Sequence, residues 1–247
     1  MIAQIRSEAY KWATTRTNVG VLAGMVALIA TAILLHAFGL PVARLTTEDQ
    51  QRGILIDVAA NLGALFAALL GALSITSEFR TGTIRPTLLA RPRRNVVVAA
   101  KAICSVATGA VAGVLAATVA AAVASIGFAG RGLPMEVTAN DVGRLVAGGL
   151  VGGALWAAIG MGAGTIVRAQ VPTVVSLIVW LLFVENVLAG DVPTAHKYVP
   201  GGLAQAVAGS TRDAVLASAP IAAALLLAYA AVAAILAATA LARTDVA

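Results

Sequence analysis

Cysteine occurs once, at Cys104, and histidine twice, at His36 and His196, in a chain of 247 residues. A single thiol excludes an intramolecular disulfide and a thiolate metal cluster, and two isolated histidines read as packed or interfacial side chains, not as metal ligands. Charge is also scarce, at 11% of residues, against roughly 25% in an ordinary soluble domain. The phosphate-cradling spacing G-x-x-x-x-G-K-[ST] does not occur, and no connecting segment is long enough to hold a nucleotide-binding fold. The chain is therefore expected to have no catalytic residue, no cofactor or metal, and no ATPase activity of its own. The net charge of +6 does not imply nucleic acid as a partner, because no soluble surface is available to carry a basic patch.

What the sequence does have is apolar length. Hydrophobic residues make up 60% of it, and the mean hydropathy is +0.93. A membrane core roughly 30 Å thick takes about 20 apolar residues per helix. Six such runs occur, approximately Val19 to Phe38, Gly53 to Ile75, Lys101 to Phe128, Val142 to Val167, Val171 to Leu188 and Leu216 to Leu241. Runs this long must satisfy their own backbone groups in lipid, which predicts helices and an all-α polytopic membrane protein with six transmembrane helices and a single domain.

Six spans put both termini on one side, and basic residues indicate which. The termini and the connections on their side hold eleven basic residues against three carboxylates, a balance of +8, whereas the opposite loops hold six against eight, a balance of −2. Lysine and arginine favour the cytoplasmic side, so both termini and the 77–94 loop are expected to be cytoplasmic in a cell inner or plasma membrane. The first apolar run is too long for a typical signal-peptide core and lacks a small-x-small cleavage site, so it is read as a retained span. Ahead of it, residues 1–18 place Ile2, Ile5, Ala9 and Trp12 at helical spacing, with Arg6, Lys11 and Arg16 available to anionic lipid. This predicts an interfacial helix, either a simple anchor or an elbow that also touches a partner.

Polar residues inside the spans are few, as a cost of roughly 2.5 to 3.5 kcal/mol per central charge would require. Asp57 with Asn61, and Glu185 with Asn186, lie near outer ends. Asn61, Glu185 and Asn186 are candidate substrate-pathway residues; an interfacial position is the alternative. No buried charge cluster is expected. In the fourth span Gly148/Gly152, Gly149/Gly153 and Gly160/Gly164 recur at four-residue spacing, which predicts close helix packing in preference to a sliding surface. Residues 189–215 are too apolar for a solvated loop and too interrupted for a span, and fit a short external helix or a re-entrant element.

The densest charge lies in "SEFRTGTIRPTLLARPRR", residues 77–94, with five arginines. Thr81-Gly82-Thr83 should break the helix, Thr83 is placed to cap a short helix from Ile84 to Ala90, and Pro92 should stop it. Residues alone leave two readings, a positive-inside loop or a short amphipathic cytoplasmic helix. The order of residues after the second of six spans resembles the cytoplasmic coupling segment of type-2 ABC transporter permeases. "SEAYKWATTRT" before the first span and "KYVPGGLAQAV" before the sixth are similar to that family as well. The resemblance implies the membrane subunit of an ATP-driven exporter, paired as a homodimer or with a related permease, and served by separate ATP-binding subunits that hold the ATP and magnesium. It also implies that Glu78, Phe79, Arg80, Gly82, Thr83 and Arg85 form the docking element. An amphiphilic, lipid-like or drug-like cargo follows from the apolar span faces. The competing reading is an ion-coupled secondary carrier, or a membrane-embedded regulator, with no ATPase partner.

The charge balance makes topology testable by cysteine labelling on a Cys104→Ser background. An impermeant reagent should reach positions 136 and 197 from outside intact cells and should reach position 91 only after lysis; outside labelling at 91 would refute the orientation.

Overall fold

The computed structural model describes residues 2–84, 86, 94–210 and 216–242. Those residues form helices and connecting turns, with no strand among them. Helix α1 covers Ile2–Thr14, α2 Arg16–Gly39, α3 Glu48–Thr81, α4 Arg94–Ala129 and α5 Ala139–Val167. Helix α6 runs Gln170–Asp191, followed by the short α7 Pro193–His196 and α8 Pro200–Val207, and by α9 Ala219–Ala242. Helices α2, α3, α4, α5, α6 and α9 are the six long and apolar enough to cross a membrane. Five of them cover their apolar runs and most extend several residues beyond, because polar caps and end charges continue a helix past its apolar stretch; α9 begins at Ala219, three residues after the start of the run expected from Leu216.

Those end signals are specific. Thr47 and Gln50 form a reciprocal capping box at the start of α3, and Thr138 and Asp141 do the same for α5. Helix α3 ends at Gly82, whose φ of 72° is the left-handed conformation that glycine adopts without penalty. The break predicted at Thr81-Gly82-Thr83 is therefore present, while the helix itself continues six residues beyond Ile75. At the end of α2, the Arg131 guanidinium donates to the Ala37 and Leu40 carbonyls, satisfying groups that helix geometry leaves open.

Helices α3 and α5 form the centre, and α2, α6 and α9 lie at the periphery, each with much of its surface exposed. The close approach of α4 to α5 depends on absent side chains. Cβ atoms added at Gly109, Gly113, Gly149 or Gly153 would collide with backbone of the facing helix, while Gly160 abuts Ala68 on α3. The glycine repeats of the fourth span thus pack helices within the chain, where van der Waals contact supplies what hydrophobic burial cannot in lipid. Between α6 and α9, α7 and α8 occupy the segment from 193 to 207, and Pro200 to Ala204 are buried. Gln205 of α8 donates to Asn61 of α3 at 3.0 Å.

At the end of the bundle remote from α1, Gln51 is fully buried and joins two connections: its Nε2 donates to the Leu45 and Pro134 carbonyls, and its Oε1 accepts from the Glu136 N–H at 2.8 Å. Arg52, beside it, pairs with Asp49 at 2.9 Å and Asp141 at 3.4 Å.

Two glycine-to-alanine substitutions should have opposite effects. Gly143 has open space at its Cβ position, so Gly143→Ala should stabilise the helix by roughly 0.5 to 1 kcal/mol. Gly113→Ala should instead cost about 1 to 3 kcal/mol through overpacking. Thermal unfolding in detergent measures both, and equal effects would rule out the close α4–α5 approach.

Candidate functional site

Four charged side chains from three distant parts of the sequence meet where α1 crosses the end of α3 and the start of α4. Lys101 lies seven residues into α4, roughly 10 Å from its start, and its side chain is 1% exposed. Its ammonium donates to Glu8 Oε2 at 2.7 Å, pairs with Glu78 Oε1 at 2.9 Å, and reaches the Ser74 carbonyl at 3.3 Å. Lys11 pairs with the same two carboxylates, at 2.9 Å to Glu8 Oε1 and 2.8 Å to Glu78 Oε1. Two positive and two negative groups therefore form a neutral, hydrogen-bonded quartet. Burial of this kind is costly unless every charge is paired, which is why removal of one member leaves a heavy penalty.

This quartet corrects the expectation of no buried charge cluster, and it shows which face of α1 packs against the bundle. Apolar spacing in residues 1–18 directs attention to Ile2, which is in fact exposed, whereas Gln4 and Glu8 are the buried side chains of that helix. Lys11 is half-exposed and pairs with the carboxylates of Glu8 and Glu78. Gln4 supports Glu8 at 3.3 Å, and the Cys104 thiol reaches the Ile5 carbonyl at 3.5 Å, so α1 is fixed to α4 over two turns.

Burial alone would raise the Glu8 carboxyl, but the charge and hydrogen bond of Lys101, with those of Lys11, hold it below its ordinary value. Burial would likewise lower the Lys11 ammonium, and the hydrogen bonds of Glu78 and Glu8 hold it above its ordinary value instead. Beside the quartet lies a cavity of about 440 Å³ that extends between α1, α3 and α4 to Thr108 and to Gln170 at the start of α6.

The expected docking residues separate into two groups. Glu78 is buried in the quartet, and Phe79 packs beside the cluster of Ile75, Ile84, Val97, Val98 and Met161. Arg80, Thr81, Gly82 and Thr83 are exposed at the tip beyond them. Arg85 and all but Ile84 and Pro86 of the expected 84–90 helix lie outside the described residues.

The three pathway candidates do not converge. Asn61 holds Gln205, and Asn186 is exposed, donating to the Leu182 carbonyl at 2.7 Å. Glu185 is buried, and its Oε1 accepts from the Trp180 indole at 2.7 Å and from the Gly201 N–H at 2.9 Å. A single π-helical turn over Trp180–Val184 makes the first contact possible, because its wider winding brings residues five apart onto one face. Asn61 and Glu185 thus both secure α8. No family model and no curated protein matches the chain.

The sign of each shift sets a pH window for α1. The Glu8 contribution is present above the ordinary carboxylate value and is lost as pH falls through the depressed one; that of Lys11 is present below the ordinary lysine value and is lost as pH rises through the raised one. A spin label at position 10, exposed on α1, should therefore be immobile at neutral pH and gain mobility at strongly acid pH. Glu8→Gln should make mobility high at neutral pH as well. Lys101→Met, which leaves two buried carboxylates sharing only the half-exposed Lys11, should cost about 3 to 5 kcal/mol in thermal unfolding.

Proposed function

We propose that this chain is the membrane permease subunit of an ATP-driven exporter, and that the tip of α3 is where a separate ATP-binding subunit docks. The observation that carries the reading is the continuity of α3. One helix of 34 residues runs from the far end of the bundle to an exposed tip, and the quartet clamps it to α1 and α4 immediately before that tip. Force applied at Arg80, Gly82 or Thr83 is therefore delivered to three helices at once and is not absorbed in a flexible loop. Rigid helices with discrete packing arrangements are what carry coupling between distant sites. The sequence resemblance of residues 77–94 to a coupling segment supports the same assignment.

On this reading both termini and the α3 tip face the cytoplasm of a cell membrane, the permease works as a dimer with itself or a related chain, and ATP and magnesium reside in the partner subunit. The roles of the six docking residues then differ. Arg80, Gly82 and Thr83, with Arg85, contact the partner, and Glu78 and Phe79 hold the tip in place from inside. The cargo class is amphiphilic, in keeping with the apolar, exposed flanks of α2, α6 and α9. Glu185, a buried carboxylate, favours the second reading of an ion-coupled carrier. That reading requires transport in proteoliposomes with no ATPase present.

Substitutions separate the two roles. Arg80→Glu should insert and melt like the parent chain yet lose co-purification of the ATP-binding subunit, or lose coupling of hydrolysis to transport; loss of a buried charged contact costs about 2 to 5 kcal/mol. Glu78→Gln should lower thermal stability as well, because it leaves Lys101 and Lys11 with the single carboxylate of Glu8 between them. The purified chain alone should hydrolyse no ATP. Normal partner retention and transport by Arg80→Glu would remove the docking assignment.

A further inference from the structure

Glu185 is 5% exposed, and it takes no part in the ion pairs among the described residues. Its carboxylate is held by neutral groups instead. Oε1 accepts from the Trp180 indole of its own helix and from the Gly201 N–H of α8, and both of these groups can only donate. Position 201 must be glycine for this contact, since a Cβ there would collide with Glu185 Oε2.

The depth of the contact follows from how α8 lies on α5. Gly148 abuts Val207 and Ala208, and Gly152 faces Ala204, so α8 runs antiparallel beside α5 and its first residues are level with the middle of that helix. Leu203 accordingly clusters with Leu155 and Ile159. Glu185 therefore meets the first turn of α8 inside the bundle, where the open N–H groups of a helix start favour negative charge. The ionisable side chains on the surrounding elements are Asp57 on α3, Asp191 at the end of α6, His196 in α7, Lys197 and Tyr198 before α8, and Tyr229 on α9. Helix α8 has none, and those of α5 lie in its first two turns. His196 borders Gly202 with its carbonyl and ring edge.

The two protonation states of Glu185 act differently on these neighbours. As a carboxylate it gives both donors a charged acceptor, which makes the stronger kind of hydrogen bond. With a proton on one oxygen the charge is gone, and the group carries an O–H that neither the indole nor the Gly201 amide can accept. The turn that brings Trp180 to Glu185 is π-helical, an uncommon winding. The far half of α8 has an anchor of its own in Gln205 on Asn61, so loss of the Glu185 contact frees the start of α8 while its end stays attached.

We propose that Glu185 is a proton-operated latch, which holds the start of α8 to α6 as a carboxylate and releases it on taking up a proton from water. Its contribution is present while the group is ionised and is lost as pH falls through its titration. The latch stands apart from the exporter reading, since one chain without any ATPase contains both halves of the contact.

Hydrogen–deuterium exchange of the detergent-solubilised full chain tests this at amides 201–204, corrected for intrinsic rates and compared at matched pH. In the parent chain exchange there should be slow at alkaline pH and rise about five- to tenfold on acidification, the difference between a charged and a neutral hydrogen bond. Glu185→Gln, which has the shape of the protonated acid and no charge, should show the fast rate at every pH. His196→Gln should keep the parent's response. Trp180→Phe removes one donor and leaves the carboxylate, so it should show intermediate protection at alkaline pH and still respond to acid. A Glu185→Gln chain as protected as the parent, a parent profile flat in pH, or a response lost in His196→Gln and kept in Glu185→Gln overturns the proposal.

Discussion

The Lys101 ammonium, almost wholly removed from solvent between the carboxylates of Glu8 and Glu78, is the constraint on which one end of this molecule depends. An ammonium in that position is tolerable only with anions at hydrogen-bonding distance, and each carboxylate is tolerable only with its cations. The consequence is mechanical. Helix α1 has little apolar surface to bury against the bundle, and it is held by charge and polar contacts. Glu78 in turn fixes the last turn of α3 relative to the start of α4. Polar contacts hold α1, whereas the end of α3 and the start of α4 also share the apolar cluster of Ile75, Val97 and Val98.

The other end is organised differently. There neutral amides, capping boxes and the Arg131 guanidinium satisfy open backbone groups, and charge pairs such as Arg52 with Asp49 include exposed partners. Between the two ends, α4 and α5 approach through glycine, and their contact is backbone against backbone. The bundle thus combines a charge-locked end, a close-packed middle and a capped end.

Much of the architecture was legible because it depends on local pattern. Twenty apolar residues signal a span wherever they occur, and Thr81-Gly82-Thr83 signals a stop. Glycines at four-residue spacing signal a close helix neighbour without saying which helix it is. The quartet had no such pattern. Glu8, Glu78 and Lys101 lie 70 and 23 residues apart in sequence, and each has an ordinary local reading: a charge on an interfacial helix, a polar residue after a span, a basic residue at a span boundary. Only their juxtaposition makes them a site. One signal was available in retrospect, since Gln4, Glu8 and Lys11 occupy i, i+4 and i+7 of α1 and mark a polar stripe opposite Ile2. Likewise the Trp180 and Glu185 contact depends on a π turn, and five-residue spacing would place those side chains apart on an ordinary α-helix.

Gln51 carries a further consequence. One primary amide, wholly enclosed, is hydrogen-bonded to the segment after α2 through Leu45 and to the segment after α4 through Pro134 and Glu136. These two crossovers are therefore stitched into one plate, and neither can lift without stranding donors and acceptors of the other. Any widening of the bundle at that face would leave the plate intact and open along its margin, among α6, α7, α8 and α9.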